Sequence, residues 1–401
     1  MQYRRMPKNG DMLSILGFGC MRLPMTDGKI DEKRAISQIR YAIDHGVNYL
    51  DTAWPYHGGA SEPLLARVLK DGYRDRVKVA TKLPTWKIKC RADMDSYLNA
   101  QLEKLSTDHI DYYLIHALTG PSWETIKGLG AIGFLDKAIA DGRIVNAGFS
   151  FHGLPEAFTR IVDDYPWNFC QIQYNFLDQK NQAGTEGLKY ASSKKLGVIV
   201  MEPLRGGNLG LATPLPAVQL IWDESKSGRT AAEWALRWVW NHPEVTVVLS
   251  GMNEEAHVKE NIATADTAYA DSMSKEELQL VERVSQKYLE LLRVNCTGCG
   301  YCMPCPSDVL IPGCFELYNK MHMFGDEDGV KFFYVARMAG LVSNGSPTFA
   351  SQCVECGECL EKCPQHIPIP EVLAKVAEEM EGPDMAERLV AAKKFFQEDN
   401  Q

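Results

Sequence analysis

The chain is predicted to be an α/β protein: a (β/α)8 barrel over residues 1–290, followed by a small all-helical domain over 291–401. Three observations carry this. Between about residues 13 and 265, eight short β-rich runs alternate with longer amphipathic ones, and eight strand–helix units over that length fit a closed barrel. The first run lacks the glycine-rich turn of an open doubly wound sheet. Leu16-Gly17-Phe18-Gly19-Cys20 has two glycines, no third, and no prompt helix after it. Past residue 290 the pattern changes, and eight of the 12 cysteines fall into two runs, 296–305 and 353–363.

In order, the strand-like runs are Ser14–Gly19, Tyr49–Thr52, Val77–Thr81, Ile110–Ile115, Ile144–Phe149, Phe169–Tyr174, Val198–Glu202 and Val245–Ser250, each short and rich in β-branched or aromatic residues. Between them, apolar residues recur at helical spacing over Glu32–His45, Ser61–Leu69, Met94–Leu105, Trp123–Asp141, Thr185–Lys195 and Ala231–Asn241. Asp141-Gly142 and Lys195-Leu196-Gly197 read as glycine-capped helix ends. Ser274–Leu292 is one more helix, leading to the first cysteine run, and Val330–Ala339 and Ile369–Phe396 follow.

The bulk properties exclude several classes. A net charge of −9 argues against a nucleic-acid partner, which wants a basic surface. No apolar stretch approaches the roughly 20 residues needed to cross a bilayer, so no membrane partner is expected. The opening Met1-Gln-Tyr-Arg-Arg carries no apolar signal segment, and free thiols in number imply a reducing compartment, so the expected location is cytoplasmic.

The cysteine runs carry the first chemistry. One reads Cys296-Thr-Gly-Cys299-Gly-Tyr-Cys302-Met-Pro-Cys305-Pro306, the other Cys353-Val-Glu-Cys356-Gly-Glu-Cys359-Leu-Glu-Lys-Cys363-Pro364. Short turns aim three thiolates spaced by two residues at a common point, and a fourth before proline typically ligates the neighbouring cluster. Two 4Fe–4S clusters are therefore expected, with all eight cysteines as ligands. Zinc is the competing reading, but a zinc ribbon needs only two pairs, and each run here has a third and fourth cysteine. The first run has two residues before its last cysteine where the usual run has three. With crossed ligands, Cys363 would complete the first cluster and Cys305 the second. The 47 residues between Cys305 and Cys353 are too many for a compact bacterial ferredoxin hairpin and suit an all-helical two-cluster domain. Cys20, Cys90, Cys170 and Cys314 have no such pattern.

A barrel does its chemistry at the carboxyl ends of its strands. Those ends present Asp51, Lys82 and His116, with Tyr56 five residues after Asp51. Together they form a proton-transfer set: a phenol as acid, a lysine lowering its pKa, a carboxylate anchoring the lysine, and a histidine orienting a carbonyl. Trp54 and Trp86, on the second and third loops, suit the walls of an apolar pocket or simple rim packing.

Asp51-Thr-Ala-Trp-Pro-Tyr56, Lys82 in Ala-Thr-Lys and His116 in Leu-Ile-His resemble the catalytic tetrad of the aldo-keto reductases, a resemblance that covers about residues 10–265. The cysteine-rich tail resembles that of the iron–sulfur branch of the same superfamily. The resemblance implies that Tyr56 protonates a carbonyl oxygen while NAD(P)H delivers hydride, that Lys82 and Asp51 tune Tyr56, and that His116 orients an aldehyde or ketone substrate. It also implies that Ser150 and Gln173 hold the nicotinamide amide, with Phe151 standing where many members have asparagine. Glu202-Pro203-Leu204-Arg205-Gly206-Gly207 resembles the loop along the pyrophosphate, with Arg205 either neutralising a phosphate or covering the rim. Ser250-Gly251-Met252 and His257, Glu260 and Asn261 resemble the adenosine-side segment. Gly251 and His257 stand where NADP-using members place lysine and arginine, which leaves NADP and NAD both open.

A hydride carries two electrons and a 4Fe–4S cluster passes one, so a flavin normally stands between them; a barrel mouth can hold one without a motif. The favoured expectation is a carbonyl reductase whose clusters are structural or serve electron exchange, for which a ferredoxin or flavodoxin-type partner is compatible. The alternatives are an electron-transfer protein linking pyridine nucleotide or flavin to an external partner, and a nucleotide-binding sensor without turnover.

Overall fold

The computed structural model describes every residue except Thr297, Cys299, Ser343, Asn344, Pro364 and 399–401, and the side chains of all these except 396–398. Eight parallel strands close into a barrel: β1 (Leu16–Gly19), β2 (Tyr49–Asp51), β3 (Lys78–Leu83), β4 (Ile110–Leu118), β5 (Ile144–Phe151), β6 (Phe169–Gln173), β7 (Gly197–Met201) and β8 (Val245–Ser250). They neighbour one another in chain order, and β8 pairs with β1 to shut the ring, Val248 opposite Leu16 and Ser250 opposite Phe18.

All eight expected strands form, within a few residues of their expected limits. The helices read from the sequence form with three differences, while Pro155–Asp164, Pro216–Trp222, Glu255–Thr267 and Ile311–Phe324 were not read from it. The run Trp123–Asp141 is two helices, Gly120–Gly128 and Ala131–Ala140, because Gly130 takes φ +93 between them. Ile369–Phe396 is likewise two, Ile369–Met380 and Met385–Glu398, parted at Gly382-Pro383. At the end of helix Gly184–Ser193 the left-handed residue is Lys195 (φ +60), while Gly197 is already the first residue of β7.

A hairpin absent from the sequence reading, Tyr3–Arg5 with Met12–Ser14, precedes the barrel and seals its amino-terminal end. Its Met6 and Leu13 enter a core with Tyr49, Tyr112, Phe169, Ile199 and Val247, and Arg4 donates to the carbonyls of Trp240, His242 and Val245. The interior is tight enough to demand glycine: a Cβ on Gly148 would lie 2.4 Å from the Phe169 ring.

The chain divides into two compact units, Met1–Ala212 with Lys226–Val281, and Thr213–Ser225 with Glu282–Gln401, the later division falling inside helix Lys275–Glu290. The second unit is helical, as expected. Its main helices are Ile311–Phe324, Glu327–Met338, Ile369–Met380 and Met385–Glu398, around Val309, Phe315, Val335 and Leu373. The helix Pro216–Trp222 belongs to it, although the sequence reading places that stretch in the barrel domain. Among the described residues, no helix is long and apolar enough to cross a membrane.

Candidate functional site: the barrel mouth and two cysteine-lined cavities

At the carboxyl ends of β2 and β3, strand pairing sets Asp51 beside Ala80, two residues before Lys82. Lys82 Nζ donates to Asp51 Oδ1 at 2.6 Å, to the Thr52 carbonyl at 2.7 Å and to the Tyr56 hydroxyl at 3.4 Å. The ion pair is almost wholly buried, at 1% and 3% side-chain exposure. Burial works against the Lys82 charge, but Asp51 and Tyr56 outweigh it and hold the ammonium above its usual pKa. Burial pushes the Asp51 carboxyl up, with Lys82 pulling it back.

Tyr56 opens a short 3-10 turn, Tyr56–Gly59, in which His57, Gly58 and Gly59 all take positive φ. The sequence leads one to expect a phenol lowered by Lys82. The net direction is upward: burial dominates, Lys82 opposes it and Asp51 adds to it. Tyr56 is therefore held protonated, as a proton donor must be before reaction.

His116 completes the group, its ring 6.3 Å from that of Tyr56 and 5.1 Å from that of Trp86. Burial, then Lys82 and His152, push its pKa down to about 2, so it works as a neutral imidazole. Its Nδ1 is buried without a hydrogen-bond partner in the protein. The β4–β5 register shifts between Ile115 and Leu118, and Ala117 takes φ +55; such a bulge re-aims a side chain beside a site. Asp51, Tyr56, Lys82 and His116 are thus brought together.

The remaining expected residues ring the same end of the barrel. Ser150 is buried and accepts from the Ala117 backbone N–H at 2.8 Å. Phe151 is buried against Phe158 of the helix Pro155–Asp164, with ring centroids 5.1 Å apart, which explains an apolar residue there. Gln173 Nε2 donates to Asp178 Oδ2 at 3.0 Å, and Gln173 Oε1 accepts from Gln182 at 2.5 Å. In the loop after β7, Glu202 (φ +54), Arg205 (φ +48), Gly206 (φ +70) and Gly207 (φ +103) are left-handed, and Pro203 and Leu204 lie between them. After β8, Ser250 accepts from Asn261 Nδ2 at 2.9 Å, Met252 is fully buried, Gly251 and His257 are exposed, and Glu260 accepts from Thr230.

Three residues were not singled out from sequence. Asp178 and Gln182 bracket Gln173, and no spacing signal marks either. Arg22 follows β1 and lies across two of the loops: a Cβ on Gly206 would be 3.2 Å from its Nη2, and one on Gly251 3.1 Å from its Cβ. A cation just past the first strand end was the available signal.

In the second unit the cysteines stand around two cavities. Cys296, Cys302 and Cys363 line one, with Ile311, Phe315 and Ile367. Cys305, Cys353, Cys356 and Cys359 line the other, with Val354 and Leu373; Cys302 edges both. Cys299 lies outside the described residues. Among the described residues, no three His, Cys, Asp or Glu side chains close on a single-ion geometry. Thiols spread around apolar cavities are the donor chemistry of an iron–sulfur cluster. Cys314 is buried against Tyr334 and Met338, and Cys20 and Cys170 are buried in the barrel unit.

Residues 15–213 match the aldo/keto reductase family. The chain contains an aldo/keto reductase domain. Residues 295–367 match the 4Fe-4S dicluster domain. L-galactose dehydrogenase of Arabidopsis thaliana is 28% identical over 307 residues, 71% of this chain and 94% of that protein. A probable aldo-keto reductase of Glycine max is 26% identical over 67% of this chain and 85% of its own length. The holo form of aldo-keto reductase AKR11C1 from Bacillus halodurans superposes with a TM-score of 0.60 at 25% identity, covering 71% of this chain and 96% of that one. This is the (β/α)8 fold of the aldo/keto reductases joined to a helical iron–sulfur domain.

Proposed function

We propose that the barrel is a carbonyl oxidoreductase that interconverts an aldehyde or ketone and an alcohol with NAD(P)H. The observation that carries this is Lys82, whose buried ammonium touches both Asp51 and the Tyr56 hydroxyl. A bound nicotinamide supplies the hydride. Tyr56 gives its proton to the carbonyl oxygen, and Lys82 stabilises the phenolate left behind. Asp51 keeps Lys82 charged and aimed. Neutral His116 lends a hydrogen bond that orients the carbonyl, and Trp54 and Trp86 offer apolar walls.

The mouth suits a dinucleotide. Gly207, with no atom within 4 Å of where its Cβ would be, leaves backbone open to close approach, and Arg22 and Arg205 are cations for phosphates. Ser150 and Gln173 would meet the nicotinamide amide, and Ser250 to Asn261 the adenosine side. Glu254 and Glu255, both paired with Arg34, leave that side net acidic, which favours NADH over NADPH.

The second unit would hold two 4Fe–4S clusters with crossed ligands: Cys296, Cys299, Cys302 and Cys363 for one, Cys353, Cys356, Cys359 and Cys305 for the other. The work of the protein would be cytoplasmic. A second reading, electron transfer through the clusters to an outside partner by way of a bound flavin, is favoured by the exposure of Cys356 and, beside it, of Val354 at 69%.

The deciding experiment is anaerobic carbonyl reduction by the iron-loaded protein, with Tyr56→Phe and Cys356→Ser variants. Turnover lost in the first and kept in the second supports the reductase. Turnover lost in both, with the barrel folded, supports coupled electron transfer.

A further inference from the structure

We propose that Asp178 is a positioning residue for nucleotide recognition: one buried carboxylate sets the amide of Gln173 and the guanidinium of Arg205 together. This rests on the reading that a nicotinamide nucleotide binds across the barrel mouth.

Asp178 is 8% exposed and sits in a turn beyond β6 that Asn175 closes. Asn175 Oδ1 accepts from the N–H groups of Leu177 at 3.0 Å and Asp178 at 2.9 Å, and its Nδ2 donates to Asp178 Oδ2 at 3.1 Å. The same oxygen accepts from Gln173 Nε2 at 3.0 Å and lies 3.3 Å from Arg205 Nε. Three donors from three positions therefore converge on one carboxylate oxygen.

That convergence has two consequences. An ionised carboxylate can only accept, so it forces the NH2 end of Gln173 toward itself, and Gln182 fixes the oxygen end from the other side. One N–H and one lone pair of Gln173 are then left with set directions, the complement of a carboxamide. The second consequence concerns the loop after β7. Arg205 holds a left-handed backbone (φ +48), which a non-glycine residue keeps only when its surroundings over-determine it. The ion pair to Asp178 is such a determinant. Because β6 and β7 are parallel neighbours, with Gln173 opposite Met201, Asp178 ties the loop of one strand to the loop of the next. The nicotinamide-facing and phosphate-facing groups are thereby preorganised as a unit.

The test uses the full chain with Asp178→Asn, which keeps the size and an acceptor oxygen but loses the charge, and Arg205→Met, singly and combined. Dissociation constants for NADH and NADPH, kcat, KM and the unfolding midpoint are measured for each. Asp178→Asn is expected to raise the nucleotide Kd and KM roughly tenfold, with kcat at saturating nucleotide within about twofold of the parent. The double variant is expected to bind more weakly than Arg205→Met alone but by less than the two single effects together, because the changes share the Asp178–Arg205 pair while the Gln173 contact is lost only with Asp178. Unchanged nucleotide affinity in Asp178→Asn overturns the proposal. So does a loss of activity that tracks a lower unfolding midpoint with KM unmoved, since a merely structural brace would behave that way. If the parent protein binds neither nucleotide, the nucleotide reading itself falls; if it binds and Asp178→Asn binds equally, only the role of Asp178 falls.

Discussion

The hydroxyl of Ser150 accepts a hydrogen bond from the backbone N–H of Ala117 at 2.8 Å, and so pins the bulge that carries His116. Removing it strands an N–H at the left-handed Ala117 and frees the imidazole to turn. Ser150→Ala is therefore expected to lower kcat/KM for the carbonyl by about tenfold through KM, with the unfolding midpoint little changed. A carbonyl KM equal to the parent's would show that the bulge holds without Ser150.

Lys82 and Asp51 form a buried pair, and breaking one side leaves the other charge alone in the interior. Lys82→Met is expected to cost about 3–5 kcal/mol of stability, and Lys82→Met with Asp51→Asn distinctly less. Urea unfolding of the two variants checks this. Tyr56→Phe removes only the hydroxyl; with Tyr56 as the proposed proton donor, it should lower kcat by a factor of about 10²–10⁴ while nucleotide affinity stays as in the parent.

His116 makes the fold acid-sensitive. Its folded pKa of about 2 lies below the unfolded value of 6.5, so the unfolded state binds the extra proton as pH falls below 6.5. Stability contributed by the neutral ring is complete above that pH and declines from there toward pH 2. Between pH 7 and pH 5 the loss from this group is on the order of 1–2 kcal/mol. His116→Gln should remove that portion of the decline; denaturant midpoints at the two pH values show whether it does.

The two cavities predict which cysteines share a cluster. Cys305 lines the cavity of the second run and Cys363 that of the first. Cys305→Ser should disturb the cluster of Cys353, Cys356 and Cys359, although it belongs to the first run. Iron content should fall toward about half, leaving one EPR-active centre. Loss of the cluster of Cys296 and Cys302 instead would show that ligands do not cross.

Much of this was legible in the chain because its signals are local. Eight β-rich runs and their strand-end Asp51, Lys82 and His116 are set by spacing alone. Gly130 was a readable break inside Trp123–Asp141, but the apolar period continues across it and conceals the turn. The hairpin Tyr3–Arg5 with Met12–Ser14 has strands too short to show alternation. Tyr56 carried a sign error of another kind: Lys82 is readable as a partner, whereas burial, which outweighs it, exists only once the barrel closes. Asp178 was invisible for a related reason: its partner Arg205 lies in the loop after β7 and is brought beside it only by the pairing of β6 with β7.

The hairpin that closes the barrel with Met6 and Leu13 has a kinetic meaning. Together with the side chains that fill the barrel interior, it leaves no route through that end. Whatever reaches Tyr56 must enter over the rim of loops that carry Arg22, Gly206 and Gly251, and must leave by the same route. If the mouth takes a nucleotide and a carbonyl as proposed, the two would share one doorway, and the compound seated deeper would be the first to arrive and the last to go.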